Sequence, residues 1–215
     1  MRQIKTKQSK ATENIQSWII PMVLIVLASV IAIVMSSTSY NISNTLRYEN
    51  TLLASGEYWR LITGHFVHLS WTHLGLNIAG TVIVWELIKN TLNTKQWTLS
   101  IVLLCVFISV CFLLFDTTLV WYVGLSGLLH GLLFQGMVLK TFHEYRLTRT
   151  IAWLELALLL GLIFKLLFEQ NNGILPWSSM DIGGEVVVNA HLYGAIIGTI
   201  LALIYMSVMN KNVAR

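Results

Sequence analysis

Six stretches of this chain are apolar over nearly the length needed to cross a bilayer: about 18–36, 71–88, 97–115, 121–140, 151–168 and 187–209. A run of about nineteen residues rises roughly 28 Å as a helix, enough to traverse the hydrocarbon core. Lipid offers no partners to a bare backbone, so a spanning run satisfies its own N–H and C=O groups by coiling into a helix. Composition agrees, because 55% of the 215 residues are hydrophobic and 11% are charged, against about 25% charged in ordinary soluble domains. The expected fold is an all-α membrane protein, a six-transmembrane-helix bundle over 18–209. A basic tail at 1–17 precedes it and a short tail at 210–215 follows.

Basic residues set the direction. Arg2, Lys5, Lys7 and Lys10 lie before the first run, Lys89 and Lys95 after the second, Lys140, Arg146 and Arg149 after the fourth, and Lys211 and Arg215 after the sixth. The intervening connections carry Glu49, Glu57, Asp116, Glu169, Asp181 and Glu185 against Arg47 and Arg60. The positive-inside rule then places both termini in the cytoplasm. Because the positive charge is spread over the cytoplasmic connections, the net charge of +4 gives no reason to expect a nucleic-acid partner. A cleaved signal peptide is the competing reading of the first run, with Ser36-Ser37-Thr38-Ser39 as the cut site. The apolar stretch from Trp18 to Met35 is longer than the usual core of such a peptide.

Runs two, four and six enter from the outer side, so residues just past their starts share a depth. There the second run offers His73 and Asn77, the fourth Ser126, and the sixth His191. Polar side chains inside a bilayer are costly unless paired and mark function by default. A serine hydroxyl becomes a useful nucleophile when a base takes its proton, and histidine suits that task near neutral pH. His73 and Asn77, one helical turn apart, fit oxyanion donors, helped by backbone N–H groups at the helix start near Ser126. No carboxylate accompanies the set, so the expectation is a Ser126–His191 dyad and not a triad. Gly127 and Gly131 on the fourth run, and Gly194 and Gly198 on the sixth, repeat at a spacing that lets two helix backbones approach closely.

These residues together resemble the rhomboid family of intramembrane serine proteases. Gly124-Leu125-Ser126-Gly127 is similar to the family's nucleophile motif. Ala190-His191-Leu192-Tyr193-Gly194, with Gly198 four residues later, resembles its last-helix histidine motif, and the stretch from His68 to Asn77 resembles its second-helix motif. Trp59-Arg60 resembles the pair that braces the family's first outer loop. The resemblance runs from about Glu57 to the end. His130, four residues after Ser126, is a departure from most rhomboids, and with Ala-His-Leu-x-Gly it resembles the rhombosortase branch of Gram-negative bacteria. That resemblance implies an inner-membrane enzyme whose active site opens toward the periplasm. It also implies single-span substrates with a C-terminal Gly-Gly, an apolar helix and a basic tail. His130 has three open roles: support for the site, helix packing, or the base itself.

Other polar residues have plainer explanations. His65, His68 and His73 raise a metal site, but no HExxH motif or acidic residue accompanies them, so neither metal nor other cofactor is expected. Cys105 and Cys111 sit six apart in one run and read as packing thiols. Glu86, Glu155 and Lys165 fit snorkelling or pairing between helices. Aromatic residues at run ends, from Trp18 and Trp71 to Tyr205, fit interface anchors. Trp177 with Gly183-Gly184 fits either the border of a substrate gate or a long connection. Two other function classes remain: a catalytically inactive relative that binds and escorts membrane proteins, and a small transporter or metal-dependent enzyme, for which midplane carboxylates are missing.

Overall fold

The computed structural model describes residues 23, 25–30, 34, 42–174 and 182–213. Residues 23, 25–30 and 34 are helical. The rest of the first run, the tail at 1–17, Ser36-Ser37-Thr38-Ser39, Trp177 and Arg215 lie outside the described residues. Among the described residues three short α-helices, α1 (Ile42–Leu46), α2 (Asn50–Ala54) and α3 (Arg60–Thr63), and a 3-10 turn at Gly64–Phe66 then precede five long helices. These are α4 (Trp71–Ile88), α5 (Thr94–Phe115), α6 (Ser126–Thr148), α7 (Trp153–Asn172) and α8 (Val188–Val213). By length and apolar composition alone, α5 and residues Val188–Val208 of α8 qualify as membrane spans. Helices α4, α6 and α7 are interrupted by polar or charged residues, among them His73 and Asn77, Ser126 and His130, and Glu155, Lys165 and Glu169. Many large apolar side chains stand exposed along the long helices, among them Leu76, Ile83, Phe107, Phe164, Leu167 and Ile204. So much uncovered apolar surface suits a lipid environment and not water.

Helix boundaries follow local chemistry. Ser70 caps α4, its Oγ accepting the His73 N–H at 3.1 Å. Asn93 and Gln96 form a capping box at α5, which begins it three residues before the expected 97. The fourth run departs most from expectation: 121–125 are not helical. Trp121–Tyr122 pairs antiparallel with Tyr48–Glu49, and Gly124 takes φ +127°, where a side chain is strained. Helix α6 therefore opens on Ser126 and runs on to Thr148.

Helices α6 and α8 form the centre. A Cβ built on Gly194 or Gly198 would collide with the carbonyl oxygen of Gly127 or Gly131, and one on Gly127 would meet the Ala190 oxygen at 2.9 Å. The two backbones thus touch, as small residues four apart permit. Helix α5 packs against both, burying Trp97, Leu104, Ile108 and Phe112 completely. Cys105 and Cys111 are free. Lys140 pairs with Glu155 across α6 and α7 at 3.0 Å, and Glu86 pairs with Lys89 within one chain turn.

The connection before α4 is folded, not slack. Arg60 is 3% exposed; its guanidinium donates to the carbonyls of Asn44 and Arg47, each at 2.7 Å, and to the Glu57 carboxylate at 2.6 Å. Trp59 Nε1 donates to Thr45 O at 3.2 Å. The Trp59-Arg60 pair therefore ties the loop to its own start. His65, fully buried, donates through Nε2 toward Cys105 O at 3.0 Å and Ser109 Oγ at 3.1 Å.

Burial lowers the His65 pKa from 6.5 to about 4, the hydrogen bond to Cys105 opposing only partly. A depressed histidine pKa means the fold favours the neutral ring, so its contribution is complete above pH 6.5 and is lost as pH falls toward 4. Charging it costs about 3 kcal/mol of stability. The thermal midpoint in neutral detergent should fall steeply between pH 7 and pH 4, and His65→Gln should flatten that fall. An equally steep fall in the variant would show that His65 is not responsible.

Candidate active site

Ser126 is the first residue of α6 and His191 lies in the first turn of α8. The glycine contact between these helices sets their starts side by side, and Ser126 Oγ meets His191 Nε2 at 3.0 Å. His191 is 5% exposed and Ser126 is half-buried. The Ser126 loop is tied from three directions. Gly124 N–H donates to Gly64 O at 3.2 Å, the Tyr122 hydroxyl donates to Gly124 O at 2.5 Å, and Leu129 N–H starts the helix on Leu125 O. A residue at the first position of a helix leaves the nearby backbone N–H groups without helical partners.

The other ring nitrogen of His191 corrects the expectation of a dyad without a carboxylate. Nδ1 lies 2.9 Å from Glu169 Oε2, and Glu169 is 3% exposed. Glu169 belongs to α7, not to the outer connection where its place in the sequence put it. Helix α7 runs to Asn172, past the end of its apolar run at 168, and carries the carboxylate inward. For Lys165 the second of its two expected explanations holds, pairing between helices. Its ammonium does not snorkel but donates to Glu169 Oε1 at 2.8 Å and to His130 Nε2 at 3.1 Å. The signal was available: Lys165 and Glu169 stand four apart, on one face of a helix.

His130 makes no hydrogen bond to the Ser126 hydroxyl. Its Nδ1 lies 2.7 Å from the Ser126 carbonyl oxygen, which can only accept, so Nδ1 carries the proton. Its ring stacks on that of His191 with centroids 4.2 Å apart and planes at 18°.

On α4, His73 accepts the Leu69 N–H at Nδ1 at 3.4 Å, which leaves Nε2 as the protonated nitrogen. The same ring edge lies over Gly124, where a Cβ would come within 3.0 Å of His73 Cε1 and Nε2. Glycine at 124 therefore serves both the left-handed turn and the approach of His73. Asn77, one turn on, is 5% exposed, and its buried Nδ2 has no hydrogen-bond partner among the described residues. An idle buried donor costs about 1–3 kcal/mol and calls for a reason, such as a transient acceptor.

His68 stacks edge-on against His73 and bonds Phe66 O, while His65 turns to α5. Among the described residues no group of three His, Cys, Asp or Glu side chains is placed to hold a metal ion. The Ser70 hydroxyl donates to Ile182 O at 2.9 Å, and a Cβ on Gly183 would touch Leu69 and Ser70. The end of the fifth connection is thus pinned to the start of α4.

Fold and site together define a helical membrane protein in which a serine hydroxyl and an imidazole at the starts of α6 and α8 stand in line with a carboxylate from the last turn of α7. Residues 55–208 match the family model of the rhomboid domain, and the chain belongs to the rhomboid family, whose members are intramembrane serine proteases. The chain has no match among curated proteins.

Proposed function

We propose that this chain is an intramembrane serine endopeptidase in which Ser126 is the nucleophile and His191 its base. The observation that carries the reading is the 3.0 Å contact between Ser126 Oγ and His191 Nε2, in a chain matched to the rhomboid domain. His191 takes the hydroxyl proton as Oγ attacks the scissile carbonyl carbon. The resulting oxyanion is met by His73 Nε2–H, the Asn77 amide and backbone N–H groups at the start of α6. His191 then protonates the departing amine, leaving an acyl ester on Ser126, which water hydrolyses with His191 again as base.

The substrates in this reading are single-span membrane proteins cut near the outer leaflet, with both termini of the protease in the cytoplasm. The bilayer is that of the bacterial inner membrane, and the site opens toward the periplasm. The substrate class is a C-terminal Gly-Gly sorting anchor, as in the rhombosortase branch. His130 after Ser126 and the Ala190-His191-Leu192 sequence support that branch. An intact helix shields its peptide bonds, and glycine weakens a helix by close to 1 kcal/mol relative to leucine. Replacing both glycines of the anchor by leucine should therefore slow cleavage about tenfold or more.

A fluorophosphonate probe provides the direct test. The purified protein should acquire the label, and Ser126→Ala should remain unlabelled while accumulating in the membrane at the normal level. A reporter carrying a Gly-Gly anchor should be released by the wild type. Equal labelling of both proteins, or release that persists with Ser126→Ala, would defeat the assignment. An unlabelled wild-type protein that still binds the reporter would favour an escort that lacks catalysis.

A further inference from the structure

The geometry points to a Ser126–His191–Glu169 triad in place of a dyad, with Glu169 as a positioning residue and Lys165 and His130 fixing its carboxylate. The inference rests on the protease reading and adds a third member, its countercharge and a brace. Every hydrogen position in the set follows from partners that can act in only one way. Ser126 O accepts, so His130 Nδ1 donates at 2.7 Å and His130 Nε2 is left with a lone pair. The Lys165 ammonium, a donor only, fills that lone pair at 3.1 Å and gives a second hydrogen to Glu169 Oε1 at 2.8 Å. Glu169 Oε2 then accepts from His191 Nδ1–H at 2.9 Å. That leaves the lone pair of His191 on Nε2, facing the Ser126 hydroxyl at 3.0 Å.

The consequences are chemical. A carboxylate on Nδ1–H holds an imidazole in the tautomer that can accept a proton at Nε2, and it stabilises the imidazolium that forms. When Ser126 attacks, its proton moves to Nε2 and the positive ring is flanked by the Glu169 carboxylate. Lys165 keeps that carboxylate from being an unpaired charge beforehand, which a buried anion could not tolerate cheaply. His130 is excluded as the base, because both its nitrogens are engaged elsewhere. It supports the site by stacking on His191 and by linking Lys165 to the Ser126 backbone. Helix α7 buries two of its residues, Leu166 and Glu169, and the second of them is the carboxylate of this site.

Glu169→Gln keeps the shape and the acceptor oxygen but removes the charge. It should lower kcat for an anchor reporter by on the order of 10⁴, the loss seen when a triad acid is neutralised, with KM nearly unchanged. Glu169→Asp, which restores the charge, should recover at least tenfold of that loss. A role confined to docking α7 would change KM and thermal stability together and would not distinguish the amide from the shorter acid by charge. Activity of Glu169→Gln within threefold of wild type overturns the triad.

If that variant does not fold, nitrogen-15 NMR of the wild-type protein labelled at histidine decides the matter. The signal assigned to His191, by its loss in His191→Gln, should show Nδ1 protonated and Nε2 bare. The reverse tautomer overturns the inference. Absence of any Ser126-dependent cleavage or labelling in the wild type would instead remove the protease reading, and the tautomer would still report on the triad geometry.

Discussion

Ser126→Ala and His191→Ala should each reduce cleavage of an anchored reporter to background, a loss on the order of 10⁵–10⁶ in kcat, and the double variant should be no slower than either one. In the proposed mechanism nucleophile and base act as a unit. Once Oγ is absent there is no proton for His191 to take, and once the ring is absent the hydroxyl is a poor nucleophile, so the losses do not add. Activity that survives would come from the oxyanion donors and substrate binding, which neither substitution touches. Turnover measured in detergent on the single and double variants gives the comparison. His130 supplies the sharpest internal control, since its ring lies directly against that of His191. His130→Ala should retain more activity than His191→Ala. Residual turnover in His191→Ala that vanishes only when His130 is also removed would make His130 the base and undo the assignment.

Much of this site is legible in the sequence because its parts sit at comparable positions along apolar runs. Ser126, His191 and His73 all fall within a few residues of a run's start, and the run boundaries alone bring them to one depth. The glycines four apart foretell that α6 and α8 touch. What the sequence hides is the carboxylate. Glu169 lies where an apolar run gives way to polar residues, and a carboxylate there reads as an outer-loop charge beside Asp181 and Glu185. Its direction is set by α7 continuing one turn further, and by Lys165 and His191 waiting on the inner side. A pattern of hydropathy carries depth and period, but not the rotation of one helix against two others. For the same reason the three roles open to His130 are separated only by its partners: Ser126 O, Lys165 Nζ and the His191 ring. The non-helical start at 121–125 is also hidden, because the pairing of Trp121–Tyr122 with Tyr48–Glu49 joins segments more than seventy residues apart.

Gly198→Val should break both the fold and the activity, although position 198 lies two helical turns below His191. A Cβ there would press into the carbonyl of Gly131, with the carbonyl carbon at 2.8 Å and Cα at 3.0 Å. The obstacle is backbone, which cannot rotate away as a side chain would, so α6 and α8 must separate. The cost belongs at the upper end for overpacking, about 3 kcal/mol or more. The separation also acts on chemistry, because Ser126 and His191 sit on the same two helices and their hydrogen bond spans 3.0 Å. Parting the backbones by about an ångström would be enough to cost on the order of 10² in rate. Gly161→Ala on α7 is the matched control. No atom lies within 4 Å of a Cβ at 161, and alanine is the better helix former by about 1 kcal/mol, so stability should hold or rise and cleavage should persist. Thermal midpoints and reporter turnover of the two variants, measured side by side, test the claim. Wild-type stability in Gly198→Val would mean that α6 and α8 are not in backbone contact, and the seat of the Ser126–His191 pair would have to be sought elsewhere.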